Sequence, residues 1–215
     1  MASRPTPPKP TVVFLVRHGQ TATTGKLLPG RAPGLHLAET GIGQAAKAAA
    51  RLAGVGDVAA VYASPLERTR ETAAPIAKAV GRRVRIDKGL LECEFGEWTG
   101  RKLSELSKLP EWKTVQGAPS TFRFPGGESF NEMQTRICTA IGRLVERHPG
   151  ERIVCVSHAD PIKAAVAQAQ GIHLDLFQRI VISPCSITPI VYGAGVPIVL
   201  AVNSTGDDLS TLAPS

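Results

Sequence analysis

A short apolar run near the start of the chain ends abruptly in Arg17-His18-Gly19. The run, Val-Val-Phe-Leu-Val over residues 12–16, predicts a buried strand, because a strand covered on both faces needs no alternation of polar and apolar residues. Ligands of open α/β sheets bind at the carboxyl ends of the strands. A fixed cation, an imidazole and a glycine at such an end predict an anion site with a nucleophile. By themselves, the three residues fit a turn cap beside a solvated charge equally well.

The composition is that of an ordinary globular domain. The chain has 215 residues, of which 43% are hydrophobic and 20% charged, so it can bury a full core without disulfides or metals. We expect one domain over residues 11–203, a disordered lead-in over residues 1–10 and a loose tail over residues 204–215. The four cysteines form no CxxC pair, and a reducing, cytoplasmic setting is expected.

The net charge of +7 makes nucleic acid a candidate partner. Only 5% of the residues are aromatic, and no basic run is longer than the pair Arg82-Arg83, so the charge favours small anionic substrates and no nucleic acid. No apolar stretch approaches the roughly 20 residues that cross a bilayer, and no membrane is expected as a partner. Residues 1–10 hold four prolines and no apolar segment, which is not the pattern of a signal peptide.

Strand and helix patterns alternate along the chain. Apolar runs predict strands over residues 12–16, 58–63, 83–86, 152–156, 180–192 and 197–202. Helical spacing predicts helices over residues 39–52, 66–80, 128–147 and 161–170, with shorter helical pieces over residues 101–112. This alternation predicts an α/β fold of three layers, with a largely parallel central sheet and helices on both faces.

Four chemically active residues follow successive strands. His18 comes after the first strand, Arg68 after the second, Glu92 after the third and His158 after the fourth. Parallel strands place their carboxyl ends at one edge of a sheet, so these side chains are expected to meet there together with Arg17. Two imidazoles, two guanidiniums and a carboxyl suit phosphoryl transfer, in which an imidazole attacks phosphorus, cations stabilise the equatorial oxygens and an acid protonates the leaving oxygen.

Metal binding is the competing interpretation of the same residues. His18, His158 and Glu92 supply the two imidazoles and the carboxylate of a hydrolytic zinc site. Two arginines beside them would repel a dication, and neither histidine has the helical spacing of common zinc motifs. We therefore expect no metal site.

Several short stretches, in a fixed order, carry a family resemblance. They are residues 17–21, 37–45, 62–68 with Thr72-Ala73, 92–100, 125–129 and 156–158. With these stretches the chain resembles the histidine phosphatase superfamily, in its phosphoglycerate mutase-like branch. The resemblance implies the phosphoglycerate mutase-like form of the three-layer fold.

The resemblance also implies roles for individual residues. His18 would be the nucleophile that becomes phosphohistidine, Glu92 the proton donor, and Arg17, Arg68 and His158 the remaining catalytic residues. The substrate phosphate would be bound by Arg17, Gly19, Gln20, Thr21, Thr24, Arg68 and the backbone N–H of Ala159. Many relatives have Asn at the position of Thr24 and Gly at that of Ala159, which leaves the substrate less certain. No metal or organic cofactor is implied.

The reaction has two versions on the same phosphohistidine. In a phosphomonoesterase water accepts the phosphoryl group, and in a phosphomutase a second substrate hydroxyl does. Between Gly100 and Pro125 the chain lacks the long arginine-rich insert of the glycolytic mutases, so the resemblance favours a phosphomonoesterase acting on small phosphorylated metabolites, with the mutase as the alternative. A third hypothesis is that the protein binds phosphate without catalysing a reaction. A homodimer is common among such relatives, and the sequence itself leaves the oligomeric state open.

Overall fold

Six strands form one mixed sheet in the computed structural model, which describes residues 9–206. In chain order they are β1 (Thr11–Arg17), β2 (Ala60–Ala63), β3 (Val84–Ile86), β4 (Arg152–Ser157), β5 (Ile187–Tyr192) and β6 (Ile198–Val199). Their order across the sheet is β3-β2-β4-β1-β5-β6. The first four are mutually parallel, whereas β5 runs antiparallel to β1 and β6 antiparallel to β5. The expected α/β sheet is confirmed, with its parallel part at the strands that precede the four active residues.

Helices cover both faces of this sheet. They are α1 (Glu39–Ala53), α2 (Glu67–Ala79), α3 (Leu103–Leu106), α4 (Trp112–Gly117), α5 (Phe130–Arg147) and α6 (Ala159–Gln170). Val13 and Leu15 of β1 belong to the apolar core that includes α5 and α6, while Val16 packs with α1 and α2 on the other face. The continuous apolar run of β1 thus reflects burial on two sides, as its composition predicts.

The two chain segments predicted around the domain are only partly within the described residues. Residues 1–8 of the lead-in and residues 207–215 of the tail lie outside them. Within them, Ser204 exchanges backbone hydrogen bonds with Ile187 at the start of β5, at 2.9 and 3.0 Å. The backbone at residue 204 is therefore part of the folded domain, and the predicted start of a loose tail there is wrong.

The last strands are the elements that the sequence predicted least well. Residues 180–186 are not a strand, and β5 begins only at Ile187. Pro184 cannot donate to a ladder, and Cys185 has a left-handed φ of 55°, which interrupts an extended chain. The predicted final strand over residues 197–202 is reduced to Ile198–Val199.

Two helix starts also differ slightly from the sequence prediction. Helix α5 begins at Phe130 rather than at residue 128, because Ser129 and Glu132 form a reciprocal capping box. Helix α6 begins at Ala159 with His158 as its N-cap, so Pro161 lies in the first turn, where a missing N–H costs nothing. No helix among residues 9–206 is both long and apolar enough to span a membrane.

Candidate active site

The carboxyl ends of β1, β2 and β4 bring the four predicted residues together. His18 follows β1 directly, Arg68 lies in the first turn of α2 after β2, and His158 links β4 to α6. Glu92 reaches the same edge from the irregular segment after β3. The rings of His18 and His158 lie edge to face with centroids 5.2 Å apart, although 140 residues separate them in sequence.

Hydrogen bonds fix the tautomer of His18. Its Nδ1 lies 2.8 Å from the carbonyl oxygen of Gly19, so this nitrogen carries the proton and donates. The lone pair is then on Nε2, which accepts a hydrogen bond from Nε of Arg68 at 3.3 Å. Burial, followed by the charges of Arg68 and Arg17, holds the pKa of His18 well below its usual value. The ring is therefore neutral at physiological pH, with Nε2 available as a nucleophile.

Arg68 joins the two imidazoles. Its Nη2 donates to the carbonyl of Gly30 at 2.8 Å and lies 3.3 Å from Nδ1 of His158. Since a guanidinium only donates, Nδ1 of His158 is an acceptor and its Nε2 donates to Oγ of Ser64 at 2.9 Å. Both Arg68 and His158 are completely buried, so their geometry is set by the core of the protein.

Glu92 completes this group. Its Oε1 accepts the backbone N–H of Cys93 at 2.9 Å, and Oε2 lies 3.9 Å from Nδ1 of His158. Burial, assisted by the nearby carboxylate of Asp160, raises the pKa of Glu92 to about 7, although Arg68 opposes the shift. A carboxyl group with such a pKa can both give and take a proton near neutrality.

Two buried guanidinium nitrogens of the active-site arginines have no hydrogen-bond partner among the described residues. One is Nε of Arg17 and the other is Nη1 of Arg68. The Nη1 atom of Arg17 donates to the carbonyl of Ile182 at 2.7 Å, which anchors that side chain at the end of β1. Because buried N–H groups are nearly always paired, these two free donors favour an anion as the natural occupant of the site.

A cavity of about 360 Å³ opens above this edge. Arg17, His18, Thr21, Thr24, Glu92 and Ala159 line it, as the sequence predicted for a phosphate pocket. A larger cavity of about 520 Å³ surrounds His36 and Glu71, but its lining contains none of Arg17, His18, Arg68, Glu92 and His158. The chemistry therefore belongs to the smaller cavity.

Two residues predicted to bind phosphate use their backbone N–H groups within the protein. The N–H of Gly19 donates to Oγ1 of Thr72 at 2.9 Å, and that of Gln20 donates to Oε1 of Gln44 at 2.9 Å. These bonds hold the loop after β1 in place, and a contact of Gly19 or Gln20 with the substrate phosphate stays a prediction.

The sequence analysis missed the far wall of the cavity. Asp160 and Lys163 of α6 line it together with Gln178. Lys163 Nζ lies 3.2 Å from Oδ1 of Asp160 and 3.0 Å from Oε1 of Gln178. Asp160 and Lys163 lie three residues apart in the first turns of α6, directly after His158. This spacing is the sequence signal that could have identified both residues. Residues 180–182 were missed because they were assigned to a strand.

The histidine ring nitrogens are already engaged, which argues against a metal centre. His18 uses both nitrogens with Gly19 and Arg68, and His158 uses both with Arg68 and Ser64. Arg68 occupies the position between the rings that a cation would need. Across residues 9–206, no group of three or more His, Cys, Asp or Glu side chains is arranged to hold a metal ion.

Comparison with known proteins gives a family match over nearly the whole described chain. The model of the histidine phosphatase superfamily (branch 1) matches residues 13–205. A bifunctional protein of Mycobacterium tuberculosis is 34% identical over 201 residues, which are 92% of this chain and 55% of that protein. The chain therefore spans about half the length of the mycobacterial proteins it matches.

Two further proteins are similar over most of their own length. A probable phosphoglycerate mutase of Cronobacter sakazakii is 32% identical, with 84% of each chain covered. The crystal structure of a phosphoserine phosphatase from Entamoeba histolytica, in complex with 3-phosphoglyceric acid, has a TM-score of 0.80 and 27% identity. The superposition covers 90% of this chain and 97% of the Entamoeba chain.

Proposed function

Because this chain belongs to the histidine phosphatase superfamily, we propose that it is a phosphomonoesterase that acts through a phosphohistidine on His18. The observation that carries the proposal is the orientation of His18, whose unprotonated Nε2 is held by Arg68 at the cavity that Glu92 also lines. Such an arrangement places a nucleophile, cationic donors and an acid around one small volume. The substrates are small phosphorylated molecules.

The first step transfers the phosphoryl group to the protein. Nε2 of His18 attacks phosphorus as the bond to the ester oxygen breaks, and the carboxyl of Glu92 gives its proton to the leaving alcohol. The free N–H groups of Arg17 and Arg68 donate to the equatorial oxygens, where charge develops. His158 keeps Arg68 in position through its Nδ1 atom.

The second step returns the enzyme to its starting state. The Glu92 carboxylate takes a proton from water, the resulting hydroxyl attacks phosphorus, and the P–N bond breaks to release inorganic phosphate. His18 regains its lone pair on Nε2, and Glu92 is again protonated. A pKa of about 7 for Glu92 suits this alternation between acid and base.

A phosphomutase is the second candidate, since one similar protein is named as a probable phosphoglycerate mutase. A mutase must hold a bisphosphate while the phosphoryl group is exchanged, and this needs cations at both ends of the site. Beyond Arg17 and Arg68, which hold the phosphate, the cation on the cavity wall among residues 9–206 is Lys163, and Lys163 is paired with Asp160. The limited cationic surface favours the phosphomonoesterase.

The test is the release of inorganic phosphate from a panel of phosphomonoesters, with and without 2,3-bisphosphoglycerate. We expect turnover by the wild type and a loss of kcat on the order of 10⁴-fold or more in His18→Ala, because a nucleophile has no substitute. Rapid quenching with labelled substrate should trap an acid-labile, base-stable phosphoprotein in the wild type alone.

The matched control is His36→Ala, which removes an exposed histidine whose ring pairs with Glu71. This variant should keep the wild-type rate. Isomerisation of phosphoglycerate that depends on bisphosphate, with little phosphate release, would replace the phosphatase by the mutase. Retained turnover in His18→Ala would refute the phosphohistidine mechanism.

A further inference from the structure

Part of the cavity wall is apolar. It is formed by Leu27, Leu28, Leu103, Ile180, Val181 and Ile182. Val181 is 65% exposed and Ile182 is buried, so this wall extends from the rim of the cavity to its floor. An apolar surface at this place contacts the part of a substrate that leaves as the alcohol, because the phosphate must lie at His18 and the arginines.

Four of the six backbone N–H groups of this wall are already hydrogen-bonded within the protein. The N–H groups of Leu27, Leu28 and Leu103 donate to the carbonyls of Thr23, Arg101 and Lys26, respectively. The N–H of Ile180 donates to the carbonyl of Phe177. A carboxylate or hydroxyl group on the leaving alcohol would therefore lose its hydration without gaining these amides as partners.

The polar side chains of the same cavity, Asp160, Lys163 and Gln178, are joined by hydrogen bonds through Lys163. Lys163 Nζ is held between Asp160 and Gln178, at 3.2 and 3.0 Å, and is mostly buried. Lys163 is the cation that a negatively charged leaving group would have to recruit. The carboxylate of Asp160 already neutralises the charge of Lys163, so the pair offers a negatively charged leaving group no net positive charge.

We propose, on the basis of the proposed phosphomonoesterase activity, that the substrates of this protein have uncharged, apolar leaving groups. The apolar wall selects alkyl or aryl alcohols, and the closed Asp160–Lys163 pair disfavours phosphorylated carboxylic acids and bisphosphates. The inference concerns the leaving group alone, since the phosphate end of the cavity is common to all phosphomonoesters.

The test compares two substrates with the same number of carbon atoms, butyl phosphate and 4-phosphooxybutanoate. Their leaving alcohols are primary, so their intrinsic reactivity is similar. We expect kcat/KM to be higher for butyl phosphate by at least about 100-fold, because the terminal carboxylate finds no partner on this wall. Lengthening the alkyl chain from butyl to hexyl should raise kcat/KM by about 4-fold per methylene group.

Two variants at the rim connect the preference to this wall. Val181→Lys adds a cation next to the leaving group and should raise the relative kcat/KM for 4-phosphooxybutanoate by about 10-fold. Val181→Met, of similar length without a charge, should leave the ratio of the two substrates close to the wild-type value. Equal rates for the two substrates, or a ratio that Val181→Lys leaves unchanged, would overturn the inference.

Binding separates this inference from the proposed activity. Butylphosphonate and 4-phosphonobutanoate cannot be hydrolysed at the P–C bond, and calorimetry gives their Kd values without turnover. We expect the same order, with butylphosphonate binding at least about 10-fold more tightly. If no monoester were hydrolysed while this order held, the phosphomonoesterase would fail and the inference on the ligand would stand. Equal or reversed affinities would refute the inference, whatever the activity.

Discussion

Glu92 is the residue whose environment makes the clearest prediction about pH. Its side chain is buried next to Asp160, and these two causes, with burial the larger, raise its pKa to about 7. A raised pKa means that the protonated acid is lost as the pH rises through about 7. His18 acts in the opposite direction, because its pKa lies well below 6.5 and the ring stays neutral until the pH falls far below neutrality.

We therefore expect kcat/KM to be high on the acidic side of neutrality and to fall above about pH 7. In the complex, the negative charge of the substrate raises the pKa of Glu92 further, so the fall in kcat should come at higher pH. Glu92→Gln should lower kcat by about 10²–10⁴-fold, because the amide has no acidic proton to give. The fall in rate with rising pH should also disappear in this variant.

The control for this prediction is Glu97→Gln, which alters an exposed carboxylate in the same segment. It should keep both the rate and the pH profile. If the rate of Glu92→Gln still fell with rising pH as in the wild type, the titration would belong to another group, and Glu92 would not be the acid.

At the scale of elements, the first turn of α1 supports the loop that carries His18. A Cβ atom on Gly41 would lie 2.1 Å from the carbonyl oxygen of Gln20, and one on Gly19 would lie 2.6 Å from the carbonyl oxygen of Gly41. Two glycines thus allow the helix and the loop to touch through their backbones. Any side chain here would displace the loop, and with it the imidazole.

Gly41→Ala should consequently destabilise the protein by about 1–3 kcal/mol and lower kcat/KM, since the extra methyl cannot be accommodated without a shift. Gly43→Ala is the matched change in the same helix, where a Cβ meets nothing within 4 Å. This control should stabilise the protein by about 0.5–1 kcal/mol and keep the activity, because alanine is the better helix former. Urea unfolding and steady-state kinetics measure both, and equal effects of the two variants would contradict the argument.

The elements that the sequence predicted well are those whose burial is uniform. Strands β1 and β4 are apolar on both faces, and the residues after them are placed by parallel topology alone. Residues 180–182 have the same β-branched character, yet they line the cavity, because Pro184 and the left-handed Cys185 end the extended chain before β5. The sequence could not show that the backbone donors of Gly19 and Gln20 are used within the protein, because a motif shows which residues recur together and not which hydrogen bonds they form.

At the scale of the whole molecule, the active site concentrates positive charge inside a chain of net charge +7. Arg68 is fully buried, and Arg17 carries a second buried N–H without a partner among the described residues. Each unpaired donor costs about 1–3 kcal/mol of folding free energy. A bound oxyanion would pair both donors and offset part of this cost, so the folded state should be more stable with such an anion than without it.

Inorganic phosphate or vanadate should therefore raise the melting temperature of the intact chain. At 100 times its Kd, an anion that binds only the folded state adds about 2.7 kcal/mol, which corresponds to a rise of about 5–10 °C for a chain of this size. Chloride at the same ionic strength is the control, because it screens the net charge of the molecule without matching the two arginines. Arg17→Gln should reduce the effect of phosphate but not that of chloride, since one of the buried donors is lost. An equal rise with chloride, or an undiminished rise with phosphate in Arg17→Gln, would mean that the anion acts on the overall charge and not at the edge of the sheet.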